Sequence, residues 1–439
     1  MDTRTIEDLA ILGGAPAFAE PLHVGRPNVG DRARLLERVN DILDRRWLTN
    51  GGPYVQEFER RIAELVGVEH CIAMCNATVA LEIAVRALGM KGEVIVPSFT
   101  FIATAHALQW QEITPVFCDV DPETHTLDPD KVERMITPRT TGIVGVHLWG
   151  QTCDVDALSD IASRRGLRLL FDSAHAFGCS YRGRMVGGFG DAEVFSFHAT
   201  KFINSLEGGA VVTNDAELAR KMRLMKNFGF TQYDRVDYVG TNGKMNEMSA
   251  ATGLTNIESM GEFIATNRRN HEHYRRELGG LAGVRFLTYD ESEKCNYQYV
   301  ILEVDEEEAG LSRDELQQVL WAENVLARRY FYPGCHRVEP YRSYFPHAGL
   351  LLPETERLAL RVLALPTGTA VGADEIEKIC RLITLALADG RRVREHLRAQ
   401  AGNTELSAPE TSTAETSGRE PVGRAPALAP PGVGGAREV

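Results

Sequence analysis

The chain has 439 residues, 44% hydrophobic and 25% charged, and its 48 Lys and Arg against 61 Asp and Glu leave a net charge of −13. That balance argues against a nucleic-acid binder, which needs a basic face. The length allows two or three domains, or one large α/β domain with a smaller partner, and such a chain can bury a core without staples. No apolar run reaches the roughly 18 residues of a membrane span. The eight cysteines are scattered with no CxxC pair, which fits free buried thiols of a cytoplasmic protein better than disulfides or a zinc site.

In chain order, the acidic start Met1–Ala10 lacks a basic-then-apolar signal pattern. An amphipathic helix is expected over Val55–Val66, then a buried strand at Glu93–Pro97 and a helix ending near Leu108. Strands follow at Pro115–Asp119 and Gly142–His147, a helix at Asp156–Arg165, and strands at Arg168–Asp172, Val194–Phe197 and Gly209–Thr213. Strands alternating with helices predict an α/β fold with a mostly parallel sheet covered on both faces. From Glu262 the pattern changes. A long polar helix to Leu278, strands near Gln298–Val304 and helices near Arg313–Glu323 and Asp374–Leu387 read as a smaller α+β domain. Ala401–Val439 holds five of the 19 prolines, much Ser, Thr, Gly and Ala and no aromatic residue, and is expected to be a disordered tail.

Phe171–Thr213 carries the most chemical information. Asp172 ends an apolar strand, where ligands bind in such sheets; it could pair with a cationic ring nitrogen or a metal, or simply cap the next turn. Lys201, one of only eight lysines, follows another apolar strand in a stretch of small, apolar and hydroxyl residues. Burial there would lower its pKa and free the amine as a nucleophile; a lysine snorkelling to the surface is the plainer alternative. Ser196 and Thr200 offer hydroxyls to a phosphate. A lysine and a carboxylate at the ends of nearby strands are what pyridoxal phosphate requires, the lysine for the covalent link and the carboxylate for the ring nitrogen. Cys75–Leu81 could supply the phosphate cradle through the backbone of Ala77 and Thr78 at a helix start. Phe101 is placed to cover the ring.

These residues resemble the DegT/StrS-type family of nucleotide-sugar aminotransferases over roughly Trp47 to Ala388. The matching segments are Trp47–Gly52 with Val55–Glu59, Asn76–Thr78, Pro97–Thr104, His147–Gln151, Asp172–Ala176, Phe195–Lys201, Glu207–Gly209 and Gly240–Glu247. The resemblance implies a fold-type-I pyridoxal-phosphate aminotransferase. Its architecture would be an N-terminal arm over 1–46, a large domain with a mostly parallel seven-stranded sheet over 47–261, a small α+β domain over 262–395 and a tail over 396–439. It implies a homodimer with shared sites, Lys201 as the covalent lysine and proton shuttle, and Asp172 on the ring nitrogen. Ala77, Thr78 and Ser196 would hold the phosphate and Phe101 would stack on the ring. Asn242 would reach the neighbouring subunit's phosphate and His175 the cofactor's phenolic oxygen. His175 stands where the family commonly has Gln, and Lys244 where Arg is frequent, so the local contacts are tuned differently.

The resemblance also implies L-glutamate as donor. The Phe197–Lys201 stretch followed by Glu207–Gly209 is similar to the family's 4-aminotransferases and favours C4 of a TDP-4-keto-6-deoxyhexose, with a 3-keto sugar or keto-cyclitol as the alternative. Arg328, Tyr330, Tyr332 and His336 fall in a segment that resembles the loop meeting the sugar nucleotide, with Arg328 or Arg329 offsetting the pyrophosphate. Related dehydratases carry His in place of the lysine, so Lys201 disfavours dehydration. A cofactor-sensing regulator would need a DNA-binding unit, and the stretch before Trp47 shows neither a helix-turn-helix pattern nor a basic stripe.

Overall fold

The alternation of fully buried five-residue strands with helices that bury one stripe builds a layered α/β body, seen in a computed structural model that describes residues 4–406. The first helices are α1 (Arg32–Arg45) and α2 (Pro53–Val66). Pro53 suits the first helical position and Gly67, at φ +74°, the left-handed cap. Val55, Phe58, Ile62 and Val66 form the buried stripe of α2. Then come β1 (His70–Met74), α3 (Ala77–Ala87), β2 (Glu93–Pro97), α4 (Ile102–Gln109), β3 (Thr114–Cys118), β4 (Thr140–Val146), α5 (Val155–Arg165), β5 (Arg168–Asp172), β6 (Ala192–Ser196), β7 (Gly209–Thr213) and α6 (Ala216–Met225). Elements expected here from sequence are present, with ends moved by at most two residues.

The seven strands form one sheet in the order β1-β7-β6-β5-β4-β2-β3. All neighbours are parallel except β7, which runs antiparallel to both β1 and β6. Alternate residues enter opposite cores: Val94 and Val96 face α3 and α4, while Ile95, Ile143 and Phe171 face α2 and α5. Val146, Asp172 and Val194 lie in register on β4, β5 and β6. Their carboxyl ends therefore form one ledge.

Two consecutive helices, α7 (Glu247–Glu258) and α8 (Met260–Leu278), meet at Ser259. The buried Glu247 carboxylate accepts from the N–H groups of Tyr54 and Val55, both at 2.9 Å, and so caps α2 from outside. Gly253 is required in α7, because a Cβ there would stand 2.5 Å from the Phe58 ring. Beyond α8, strands β8 (Val284–Phe286), β9 (Val300–Val304) and β10 (Val362–Leu365) form an antiparallel sheet packed by α9 (Arg313–Ala322) and α10 (Ala373–Ala388). The N-terminal segment is tied to this part. Leu22–His23 pairs with Val325–Leu326, and the Glu323 carboxylate accepts from the N–H groups of Ala10 and Ala17. The last helix, α11, spans Gly390–Leu406, so residues 396–406 of the expected tail are helical and the remainder lies outside the described residues. Among the described residues no helix is long and apolar enough to cross a membrane.

Candidate active site

A cavity of about 320 Å³ opens over the ledge made by the carboxyl ends of β4, β5 and β6 and the start of α3. This is where open α/β sheets bind ligands. Of the candidates singled out in the sequence, Ala77, Thr78, Phe101, Asp172, His175, Ser196, Lys201, Arg328 and Tyr330 all line it.

Each is held by its local structure. The Asn76 side chain caps α3 by accepting from the Val79 N–H at 2.9 Å, which leaves Ala77 and Thr78 as the first helical residues on the cavity wall. β7 passes directly beneath, and a Cβ on Gly209 would stand 2.6 Å from the Ala77 nitrogen, so only glycine lets the strand underlie this turn. Asp172 is buried. Its carboxylate accepts from the Thr104 hydroxyl at 2.8 Å and from the Ala174 N–H at 3.2 Å. Lys201 sits in the turn after β6, where its N–H donates to the His198 carbonyl, and its Nζ lies 3.4 Å from the Tyr299 hydroxyl. Phe101 is 59% exposed at the mouth.

Electrostatics favour a reactive amine. Burial brings the Lys201 ammonium down to about 8, although the Asp172 carboxylate pulls the other way. Burial also pushes Asp172 up, against the Thr104 hydroxyl, the Ala174 N–H and the Lys201 charge. Desolvation thus outweighs the mutual attraction of the two groups. A cation against Asp172 would favour its charged form, which fits the protonated ring nitrogen of pyridoxal phosphate. An amine lowered to about 8, a buried carboxylate and an open helix start around one cavity match the three functional ends of that molecule.

The structure leaves four candidates outside this cavity, one of them Arg329, which lines the adjoining cavity with Tyr332. Asn242 is exposed, and its backbone bridges to Asn227. Tyr332 lines an adjoining cavity of about 380 Å³, its ring between the Arg329 and Arg313 guanidiniums at 4.5 and 5.4 Å. His336 is a correction to the sequence reading, which put it at the sugar nucleotide. It is buried, and its ring is consumed on both sides, by the Ser98 hydroxyl at Nδ1 and the Glu356 carboxylate at Nε2, each at 2.7 Å. It fastens the loop from behind. Arg328 is fixed by paired backbone hydrogen bonds with Ala364, at 3.0 and 2.8 Å.

Sequence reasoning missed Thr104 and Tyr299. Thr104 stands one turn after Phe101, and that spacing was a readable hint. Nothing in the sequence links Tyr299 to Lys201, 98 positions away.

Comparison with known proteins agrees with this geometry. Residues 30–384 match the DegT/DnrJ/EryC1/StrS aminotransferase family. The chain is 37% identical over 365 residues to a dTDP-4-amino-4,6-dideoxy-D-glucose transaminase of Shigella dysenteriae, covering 83% of this chain and 98% of the relative. It is 37% identical over 326 residues to a GDP-perosamine synthase of Caulobacter vibrioides, covering 73% and 86%. Among solved structures, DesI in the presence of its TDP-sugar product superposes with a TM-score of 0.86 at 54% identity, covering 90% of this chain and all of that one. The chain belongs to the DegT/DnrJ/EryC1/StrS aminotransferase family. Within it, the protein is a pyridoxal-phosphate-dependent aminotransferase.

Proposed function

We propose that the protein moves the amino group of L-glutamate to C4 of a TDP-4-keto-6-deoxyhexose, giving a 4-amino-4,6-dideoxy sugar nucleotide, and that it works as a homodimer. The observation that carries this reading is a single cavity holding Lys201 and Asp172 together, whose wall of Arg328, Tyr330 and Phe331 is shared with a second, more open cavity. Ala77, Thr78 and Ser196 would hold the cofactor phosphate, Asp172 the ring nitrogen, Phe101 a ring face and Lys201 the covalent link. When bound, the cofactor supplies an electron sink for the carbon that loses or gains a proton.

The protein's own part is positioning and proton movement. Asp172 orients by charge, fixed by Thr104 and Ala174. The Lys201 Nζ, neutral in part because it is buried, accepts the α-proton of the donor. In the second half it delivers a proton to C4 of the sugar. Arg328 faces both cavities and is placed for a diphosphate, while Tyr332 offers an aromatic face beyond it.

C4 is supported by the Phe197–Lys201 and Glu207–Gly209 segments and by the activity for which the Shigella relative is named. The homodimer is supported by exposed Trp47, Leu48, Leu206, Phe228, Phe230 and Val239, together with Asn242 standing outside its own chain's cavity. The test is to incubate the loaded protein with L-glutamate and, separately, TDP-4-keto, TDP-3-keto and GDP-4-keto deoxysugars, and to read the amine position by NMR. Amination at C4 of the TDP-4-keto sugar is expected; turnover of the 3-keto sugar alone would overturn the assignment.

A further inference from the structure

Gln317 lines the outer cavity from α9, yet it is only 6% exposed. Its amide nitrogen donates to the Ala327 carbonyl at 2.9 Å. The Trp321 indole N–H donates to the same oxygen, also at 2.9 Å. Residues 317 and 321 stand four apart on one helix and therefore on one face. Their shared acceptor locks the two side chains together. The peptide unit that carries this oxygen continues on its other side as the Arg328 N–H, which donates to the Ala364 carbonyl at 3.0 Å. The Gln317 amide, the Trp321 indole and the backbone of Arg328 are thus tied through one peptide plane.

With Nε2 committed, the amide cannot turn over. Rotation would set Oε1 against the Ala327 carbonyl, acceptor against acceptor. Oε1 accepts from no group among the described residues, and it is not sealed in the core. The void that this side chain borders is the outer cavity. A largely buried carbonyl oxygen with free lone pairs calls for a hydrogen-bond donor from whatever fills that void. Beside it Trp321, half-exposed and held by its N–H, offers a flat aromatic face. An acceptor next to an aromatic face suits a planar ring that carries an N–H on its edge.

We propose that Gln317 reads the base of the sugar nucleotide, its Oε1 accepting from the ring N–H that thymine and uracil carry between two carbonyls, with Trp321 as the wall beside the ring. The proposal rests on the sugar-nucleotide reading and adds which part of the nucleotide is selected and by which atom. The order of groups along such a substrate matches the order of sites: the keto-sugar at Lys201, the diphosphate at Arg328 on the shared wall, the base in the cavity beyond. Cytosine has a bare ring nitrogen at the same position. It would face Oε1 with a lone pair and leave both acceptors unpaired. The thymine methyl lies elsewhere on the ring, so this contact separates thymine and uracil from cytosine, but not from each other.

The experiment loads the full-length protein with pyridoxamine phosphate and offers it one 4-keto-6-deoxyhexose linked in turn to TDP, UDP and CDP. The sugar half-reaction is followed over a range of concentrations to give a rate per unit of affinity for each. The wild type should use the TDP and UDP sugars within about twofold of each other and the CDP sugar about tenfold less well. Gln317→Leu should lower the TDP and UDP values about fivefold and leave the CDP value unchanged, so that the preference collapses to about twofold. An amide that served only to brace Ala327 would slow all three alike. Equal use of UDP and CDP sugars by the wild type would give Oε1 to a ribose hydroxyl and overturn the proposal without any variant. An undiminished preference in Gln317→Leu at the wild-type melting temperature overturns it as well, and Gln317→Met carries the same test should the leucine variant not fold. No transfer to any of the three sugars, while L-glutamate still converts the pyridoxal form, would sink the sugar-nucleotide reading itself, which separates the two failures.

Discussion

The two cavities that share the wall of Arg328, Tyr330 and Phe331 are built on opposite principles. The inner one stands on the ends of parallel strands. Its Asp172 and His175 are buried, and each is tied to neighbours by hydrogen bonds. The outer one is made of loop and helix surface, with Trp321 49% and Tyr332 44% exposed. Reaction chemistry needs groups held to a fraction of an ångström, which buried strand ends provide. Substrate choice tolerates adjustable aromatic and cationic surface.

That division can be broken by mutation. Lys201→Ala should abolish the colour of the loaded protein and lower turnover by at least about a thousandfold, because one group serves as nucleophile, base and acid; wild-type turnover of glutamate by this variant would undo the inner-site assignment. Asp172→Asn should retain the cofactor yet lower kcat roughly a hundredfold or more, since the amide cannot hold a charge against the ring nitrogen. An effect confined to KM would move Asp172 out of the chemistry. In the outer cavity, Arg328→Ala should raise KM for the sugar nucleotide about tenfold with little change in the glutamate half-reaction measured alone. A comparable loss in both half-reactions would show that the wall belongs to the inner site. The smallest catalytic effect is expected for His336→Ala. It takes one ring partner each from the Ser98 hydroxyl and the Glu356 carboxylate, which retain the backbone N–H at that position and Arg337, and costs about 1 kcal/mol of stability, read as a lower melting temperature. A His336→Ala protein with wild-type stability and a raised KM would restore this residue to the substrate site.

Strand and helix periodicity is local, so the amino acids from Val55 to Thr213 were enough to place six of the seven sheet strands nearly to the residue, while the strand His70–Met74 and the helix Pro129–Met135 went unread. Lys201 and Asp172 were legible for a related reason. A charged side chain at the end of an apolar strand is conspicuous in composition alone, and the rule that ligands gather at carboxyl ends supplies the rest. Tyr332 and His336 were harder, because loop residues carry no period that says which way they face. The chain turned one into a cation-flanked wall and the other into a buried fastener.

The amino-acid sequence by itself determined the layered α/β architecture and singled out Lys201, Asp172 and the start of α3, which the fold gathers around one cavity. Only the tertiary structure decided that Tyr299, carried in on the small sheet, stands between His175 and Lys201, and that Thr104 buttresses Asp172. The physical reason is range. Backbone propensity and hydrophobic period act over a few residues, whereas hydrogen bonds between distant segments exist only after packing has brought their backbones together.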